Sequence, residues 1–404
     1  DGDGIAENSP NDLPAASLEP SIAVLPFKNL TGDPDNEYLA LGFGEELSVE
    51  LTKFEDLVVI DSILLAVGEK NPHLESGIEK LKGVRFLIDG SIQLNQDQLK
   101  ILVKLIDTFN GVQIWADRFS DTFTSQNISV ILEQIARQVS QILGSEYGLI
   151  LNNLSIEANK SFPQDTGTFK AILKFYHFEA IQSQESADDA LNSLEQAIIK
   201  EPLSGIATAM LASIYGNRYM LDMENASLVS DKFSQLADRA IELDPNSITV
   251  RIIYASKCFA YNQKEQFFKE AEKCLSRCPA AAFRIVSLGM YISLYGDWEG
   301  GMALLNRVIQ MKLSFPKYIY GVTCLYHYRT RDYHRALEEA MKYDMPFLFW
   351  GPMLRAAVFG QLNKLEEAGS NLAHLKQLKP DFENQAWYLI TRYIKEEVLA
   401  EHVL

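Results

Sequence analysis

Histidines, cysteines and paired carboxylates are the residues most able to do chemistry, and in this sequence they lack the spacings that catalysis needs. No P-loop, Gly-x-Ser-x-Gly nucleophile motif or His-Glu-x-x-His zinc motif occurs. The six histidines are scattered, and adjacent glutamates such as Glu338 and Glu339 point to different sides of a predicted helix. We therefore predict no catalytic residue, no metal site and no cofactor for this chain.

The cysteines are too few for a disulfide-stapled scaffold; they are Cys258, Cys274, Cys278 and Cys324. Cys258 and Cys274 fall on paired helices of one predicted repeat, so packed thiols are the simpler interpretation. Cys274 and Cys278 lie one helical turn apart, a spacing that suits a metal or redox site only if a histidine joins them. No histidine is near them in the sequence, and the redox compartment stays open.

Side chains suited to binding are better represented than side chains suited to catalysis. Aromatic, methionine and arginine side chains are enriched in the cores of protein interfaces. Such residues recur on the first helices of the predicted repeats, where they should face a groove. The predicted partner-binding groove contains Phe283, Met290, Tyr318, Tyr328, Arg329, Trp350 and Met353. Packing between successive helices is the competing interpretation for each of them.

A second predicted binding surface is the loop after the first strand. Backbone N–H groups at a strand-to-helix turn can hold small ligands. The residues of this predicted ligand loop are Asn29, Thr31, Gly32 and Asp33. The competing interpretation is a plain capped turn, in which Asp33 caps a helix that begins with Pro34.

The carboxyl-terminal half contains a repeat that would position the groove residues. Equivalent small or aromatic anchors are spaced by 43, 34, 34, 35 and 32 residues, and they are Ala190, Phe233, Phe267, Gly301, Ala336 and Ala368. A period of about 34 residues is typical of tetratricopeptide repeats, each of which is a pair of helices. Repeat arrays serve as binding surfaces far more often than as catalysts.

We predict about six helix pairs over residues 168–381, because the helical pattern is continuous and prolines close most of the pairs. A final helix from Phe382 to about Glu397 should cover the last apolar face, as terminal repeats require. Residues 382–404 are therefore predicted to be a capping helix and tail.

Residues 21–150 are predicted to form an α+β domain. Short apolar runs predict strands at residues 21–27, 57–61, 85–94, 99–107 and 112–119. Helices are predicted to about residue 53, at about 75–81 and over 128–143, the last with one apolar stripe. Residues 1–20 and 151–167 are predicted linkers.

The composition and net charge of the sequence limit the classes of function that it can have. A hydrophobic fraction of 47% indicates a soluble, packed protein, and a net charge of −17 argues against nucleic-acid contact. An anionic membrane surface would also repel the chain. The sequence opens with Asp1 rather than Met and has no spanning stretch. We expect a fragment of a longer protein, which would reach a membrane only through a segment upstream.

The first domain resembles the TolB-like amino-terminal domain that precedes tetratricopeptide repeats in bacterial signalling proteins. The resemblance rests on residues 22–34 (IAVLPFKNLTGDP), 37–42 (EYLALG), 45–47 (EEL), 87–91 (LIDGS), 105–107 (LID) and 114–118 (IWADR). With the repeats it covers about residues 21–397. It implies an α+β domain with a TolB-like mixed sheet, followed by an all-α tetratricopeptide-repeat solenoid.

In that family the module accompanies either a class III adenylate or guanylate cyclase domain or the winged-helix domain of a transcription activator. The resemblance supplies no catalytic residue, since the chemistry belongs to the output domain. It implies a non-catalytic sensory and interaction module, with the cyclase favoured over the activator. A periplasmic position on a membrane-tethered protein is favoured over the cytoplasm. The expected partner is a protein or peptide in the groove, and a homodimer is compatible with this interpretation.

Two further classes of function stay open at this point. A stand-alone scaffold would lack any output domain. An autonomous enzyme is the least favoured class, and a ligand or metal in a deep, polar, charged pocket of the first domain would support it.

Overall fold

The computed structural model describes residues 20–61, 84–124, 126–145, 148–160, 167–181, 183–222, 226–277, 285–310 and 316–404. The chain divides into two compact units, one ending at Gly144 and the other running from Ser145 to Leu404. Residues 1–19 of the predicted linker and the short helix predicted at about 75–81 lie outside the described ranges.

The amino-terminal unit is built on a mixed sheet, as predicted. Its strands are β1 (Ser21–Val24), β2 (Lys28–Asn29), β3 (Val58–Ile60), β4 (Phe86–Asn95), β5 (Gln98–Asp107) and β6 (Val112–Thr122). The strand order is β3-β1-β4-β5-β6, and β2 also pairs with β4. Strand β1 is parallel to β3 and β4, and β2 is parallel to β4, whereas the pairs β4–β5 and β5–β6 are antiparallel.

Two helices of this unit, α1 (Glu37–Leu51) and α2 (Ile128–Gly144), pack against each other. The apolar stripe predicted for α2 is buried along its length. The Phe43 ring of α1 meets the Phe27 ring edge-on, with centroids 4.9 Å apart. A 3-10 turn at Pro34–Asn36 precedes α1, and the predicted Asp33 cap is confirmed, because its carboxylate accepts from the Asp35 N–H at 3.0 Å.

The described residues of the carboxyl-terminal unit contain helices and turns without strands. The helices are α3 (Leu149–Lys160), α4 (Thr168–Ile181), α5 (Gln184–Lys200), α6 (Gly205–Met220), α7 (Ala226–Leu243), α8 (Ile248–Ala260), α9 (Lys264–Arg277), α10 (Val286–Leu294), α11 (Trp298–Gln310), α12 (Tyr318–Arg329), α13 (Tyr333–Lys342), α14 (Trp350–Gln361), α15 (Leu365–Leu378), α16 (Phe382–Thr391) and α17 (Glu397–Val403).

From α4 to α15 the helices form successive pairs. The two helices of each pair contact each other, and the first helices α4, α6, α8, α10, α12 and α14 contact one another in sequence. All the anchor residues found in the sequence lie on second helices and are buried. The spacing of the anchors therefore reports a real repetition of helix pairs.

The turn inside a pair is also repeated. After α8, α10, α12 and α14, the second residue past the helix has a left-handed backbone: Asn262 (φ 55°), Gly296 (φ 103°), Arg331 (φ 62°) and Asn363 (φ 56°). The next N–H in each turn donates to a carbonyl five residues earlier, at 2.8 Å for Gln263 and Cys258. This Schellman cap satisfies carbonyl groups that the end of a helix leaves free.

Two stretches differ from the sequence-based expectation. Helix α3 occupies part of residues 151–167, which were predicted as linker, because its apolar face is buried and it contacts α4. The single helix predicted from residue 382 to about 397 is two short helices, α16 and α17. Between them the backbone N–H of Lys395 donates to the Leu294 carbonyl at 2.9 Å, a contact with α10 that a continuous helix could not make.

The fourth pair has no room for a side chain where its helices cross. A Cβ atom at Gly301 would lie 2.5 Å from the Gly289 carbonyl oxygen and 2.6 Å from the Ser293 backbone nitrogen. Gly301→Ala should therefore lower the free energy of unfolding by about 1–3 kcal/mol, because α10 and α11 must move apart. Urea unfolding followed by circular dichroism measures the change.

Gly369 of α15 is the matched control, because a Cβ atom there meets no atom within 4 Å. Gly369→Ala should raise the free energy of unfolding by up to about 1 kcal/mol, through helix propensity alone. Equal destabilisation by the two alanines would show that close packing at Gly301 is not the cause.

Candidate functional site

A cavity of about 660 Å³ lies inside the helical unit, within the size range of small-molecule sites. Its wall is formed by the first helices α4, α6, α8 and α10, by the start of α12 and by residues 343–350. Aromatic rings make up much of this wall, including Phe175, Phe178, Tyr291, Tyr343, Trp350 and Tyr393.

Three tyrosine hydroxyls give this apolar wall its polar character. In the part of the chain that the structure describes, the hydroxyls of Tyr291, Tyr343 and Tyr393 have no hydrogen-bond partner. Burial, then the Glu179 carboxylate, raises the pKa of Tyr291, and burial raises that of Tyr343. Burial, then Tyr291 and Tyr343, raises the pKa of Tyr393. All three phenols stay protonated near neutral pH and can donate or accept a hydrogen bond.

The charged side chains on the described wall balance one another; they are Glu179, Arg218, Lys317 and Asp344. Arg218 is already engaged, because its Nη2 lies 2.6 Å from the Asp188 carboxylate. The Lys317 ammonium lies 5.8 Å from the centroid of the Tyr320 ring, a cation–π distance. The wall therefore has no excess charge that would attract an ion.

Residues 382–404, the C-terminal segment, run back across the first helices. The Tyr393 ring packs edge-on against Trp350 of α14, with centroids 5.0 Å apart. Near the end of the chain, the Tyr328 hydroxyl of α12 donates to the His402 carbonyl at 2.9 Å. The segment thus contacts several helix pairs and supplies Tyr393 to the cavity wall.

One carboxylate, that of Asp222, holds the beginning of the C-terminal segment in place. Asp222, just after α6, lies 2.7 Å from the Lys379 ammonium and 3.4 Å from the Arg392 guanidinium. Arg392 also donates to the Tyr219 carbonyl at 2.5 Å, and its guanidinium lies 4.6 Å from the Tyr219 ring centroid. Arg392 is buried, so these contacts replace the water that its charge would otherwise need.

Glu396 holds the C-terminal segment in place at a second point, between α16 and α17. Its carboxylate accepts a hydrogen bond from the Trp298 indole nitrogen at 2.8 Å and lies 3.6 Å from Arg329 Nε. The Arg329 guanidinium in turn lies 5.9 Å from the Trp298 ring centroid. Together these three side chains join the break between α16 and α17 to α11 and α12.

The structure brings three of the predicted groove residues to the cavity. Met290, Tyr318 and Trp350 all line it. Trp350 is buried, and its indole nitrogen has no hydrogen-bond partner among the described residues. These three residues of successive first helices therefore share one surface, the cavity wall.

The other predicted groove residues lie elsewhere. Tyr328 and Arg329 contact the C-terminal segment of the same chain, and Tyr328 is buried. Met353 is buried on α14 without lining the cavity. Phe283 lies outside the described residues. Partner binding by the groove residues stays a prediction.

The predicted ligand loop hydrogen-bonds mainly to itself. The Asn29 side-chain oxygen accepts from the Thr31 N–H at 3.0 Å and from the Thr31 hydroxyl at 2.7 Å. The Asn29 amide donates to the Asp33 carbonyl at 2.9 Å, and Gly32 has φ 83°, a backbone conformation that glycine favours. Ligand binding by Asn29, Thr31, Gly32 and Asp33 stays a prediction.

Sequence reasoning missed the tyrosines that make the cavity polar. Tyr291 is next to Met290, a predicted groove residue, so the register of α10 could have indicated it. Tyr343 follows the end of a helix, and Tyr393 falls within the predicted capping helix, so neither lies on a predicted groove-facing helix. No sequence signal placed these two beside Tyr291, because the contacts depend on how the chain returns.

The described ranges contain no group of three or more His, Cys, Asp or Glu side chains able to hold a metal ion. Within the same ranges, no helix combines the length and apolar character that crossing a bilayer requires. Cys258 and Cys274 are buried, as predicted, and Cys278 lies outside the described residues. Burial raises the pKa of Cys258 to about 11, so it stays protonated near neutral pH.

Comparison with known proteins gives one partial similarity. Putative adenylate cyclase 3 of Rhizobium meliloti (strain 1021) is 33% identical over 140 residues, which are 34% of this chain. The match spans 23% of that protein's length. No family profile matches the chain. Part of this chain is thus similar to part of a signalling protein.

Solved structures give only weak similarities. The PelC dodecamer from Paraburkholderia phytofirmans has a TM-score of 0.22 at 19% identity, covering 31% of this chain and 89% of that one. Lipoprotein GNA1162 from Neisseria meningitidis has 0.22 at 17%, covering 29% and 96%. TolB from Acinetobacter baumannii has 0.21 at 15%, covering 30% and 26%. Scores this low carry no argument about function.

Removing the Arg392 side chain should release the C-terminal segment. Arg392→Ala loses charged hydrogen bonds to the Tyr219 carbonyl and Asp222, so the free energy of unfolding should fall by about 2 kcal/mol. Amide hydrogen exchange over residues 394–403 should speed up. Arg239→Ala removes an exposed arginine on α7 and is the control. Unchanged protection of the segment in Arg392→Ala would contradict the anchoring role.

Lys395 should make stability depend on pH. Burial, then repulsion by Arg392, lowers its pKa to about 8, against about 10.4 for an unfolded chain. Between these values the unfolded state binds more protons, so the free energy of unfolding should rise with pH from about 8 to about 10.4. Below pH 8 the cost of the buried charge is fully present.

Lys395→Met tests this dependence, because it keeps the aliphatic chain and removes the charge. Urea unfolding at pH 7, 8, 9 and 10 should show the variant's advantage over the natural protein shrinking as pH rises. A difference that stays constant across this range would show that Lys395 does not titrate as the structure indicates.

Proposed function

We propose that this chain is the regulatory part of a bacterial signalling protein whose output domain is an adenylate or guanylate cyclase. The observation that carries the proposal is the 33% identity to the Rhizobium meliloti protein over 140 residues. Because that match covers 23% of the relative, the cyclase activity belongs to the proposal and not to the residues compared.

The proposal includes a tetratricopeptide-type array. Its support is the succession of helix pairs, the contacts among first helices and the repeated Schellman caps of the carboxyl-terminal unit. Such arrays present extended binding surfaces. In this chain the contacts of Tyr328, Arg329 and Trp350 with the C-terminal segment of the same chain support the proposal that this surface binds a peptide.

Regulation would follow from a partner that favours one arrangement of the C-terminal segment. A partner shifts a conformational equilibrium only through different affinities for the two states. A protein or peptide that competes for Trp298 and Arg329 would bind only after Glu396 leaves them. The released segment would then be the signal passed to the output domain.

A catalytic role for the chain itself has weaker support. The titratable groups that stand out in the cavity are tyrosines with raised pKa values, and these are poor bases near neutral pH. We therefore assign sensing or partner binding to this part of the protein. A periplasmic position and a homodimer are the corresponding proposals for its location and assembly, and both rest on the family resemblance.

The test uses the full-length protein to which this chain belongs. It should convert ATP or GTP to the cyclic nucleotide, whereas the 404-residue chain alone should not. In the full-length protein, Arg392→Ala should change kcat at least about twofold, with little change in the KM for nucleotide. Lys395→Met, which should stabilise the same segment, is the second variant, and exposed Arg239→Ala is the control.

A full-length protein without cyclase activity would overturn the proposal, and sequence-specific DNA binding by it would point to a transcription activator instead. If the full-length protein has cyclase activity and neither segment variant changes it, the proposed output domain would stand and the proposed regulatory role of the segment would be wrong.

A further inference from the structure

We propose that the cavity is a binding site for an uncharged amphipathic molecule whose oxygen atoms accept hydrogen bonds from Tyr291, Tyr343 and Tyr393. Its rings or chain would lie against the aromatic and aliphatic wall supplied by the first helices. The inference is independent of the output domain, since it concerns only this chain.

The size of the cavity, which is partly open to solvent, suits a small molecule. About 660 Å³ lies within the range of known small-molecule sites. Apolar side chains such as Ile252, Met290 and Leu354 line it. An apolar molecule of moderate size would add dispersion contacts with this wall.

The polar groups on the wall select for hydrogen-bonding oxygens. Among the described residues no hydrogen bond engages the three tyrosine hydroxyls, so they are available to a ligand. A carbonyl, ether or lactone oxygen can accept a hydrogen bond from each of them. The unpaired indole N–H of Trp350 is enclosed by protein and does not belong to this set.

The charges on the wall select against ions. Arg218 is held by Asp188, and Glu179 is close enough to Tyr291 to raise its pKa. The two acids and two bases of the described wall sum to no net charge, so an ion would leave water without a compensating charge. An uncharged ligand avoids this cost.

Nile red, an uncharged dye with a carbonyl and an ether oxygen, is a suitable probe. Titrated into the natural chain, it should bind saturably at one dye per chain with a blue shift in emission. Each of Tyr291→Phe, Tyr343→Phe and Tyr393→Phe that removes a used hydrogen bond should weaken binding by about fivefold. The triple variant should weaken it more than any single one.

Tyr295→Phe is the matched control, because the Tyr295 hydroxyl is also buried and unpaired among the described residues but does not line the cavity. It should leave the affinity unchanged. Ser287→Trp and Ser213→Trp fill the cavity from two different helices and should abolish saturable binding. Circular dichroism on every variant establishes that it is folded.

Several results would overturn the proposal. Absence of saturable binding, or binding that survives in a folded cavity-filling variant, would exclude the cavity as the site. An unchanged affinity in the triple phenylalanine variant would exclude the hydroxyls. Equal or tighter binding of the anionic dye 8-anilinonaphthalene-1-sulfonate would exclude the preference for uncharged molecules. None of these results depends on cyclase activity, so the two proposals fail separately.

Discussion

The close approach of the two helices within a pair is the constraint on which the helical unit depends. At Gly301 and Gly289 the backbones of α11 and α10 come so near that neither position has room for a larger residue without movement. In the second pair, Gly216 serves the same purpose beneath the Phe233 ring. This spacing sets the width of the second and fourth pairs, and the Schellman caps set the direction of the second helix in the last four pairs. Together they line up the first helices that form the cavity wall.

The C-terminal segment adds a second kind of constraint, made of side chains and not of periodic backbone. Asp222 forms ion pairs with Lys379 and Arg392. Glu396 accepts a hydrogen bond from Trp298 and forms an ion pair with Arg329. Breaking the contact between Asp222 and buried Arg392 would leave a charge without water or a partner, so this contact holds the segment strongly. These contacts position Tyr393 against Trp350 and thereby complete the cavity.

Local pattern was enough to predict the strands, the helix pairs and the Asp33 cap, whereas the mixed sheet was implied by the family resemblance. Each of the first three depends on residues that are near in sequence or on a strict period, as the buried anchors from Ala190 to Ala368 show. Helix α3 escaped prediction because its apolar face is short. The break between α16 and α17 escaped because Lys395 bonds to Leu294, a partner 101 positions away that no window of sequence includes.

The candidate site was predictable only in part, for the same reason. The enrichment of first helices in aromatic and methionine residues led to Met290, Tyr318 and Trp350, which line the cavity. The same argument also selected Tyr328 and Met353, which are buried elsewhere, because helical register alone does not tell an inner surface from a packing contact. Tyr343 and Tyr393 reach the wall from a connection and from the returning chain, where periodicity has no bearing.

Helix-pair arrays that touch only their nearest neighbours behave as one-dimensional chains, which can fray from either end. In this unit the bond from Asp222 to Lys379 ties the second pair to the end of the last one, and His402 is held at Tyr328 in the fifth. Through these contacts, helix pairs that are far apart in the array are joined directly, in addition to the contacts between neighbouring pairs. Cooperativity then spans most of the unit, and a nick in one turn would leave the two pieces associated.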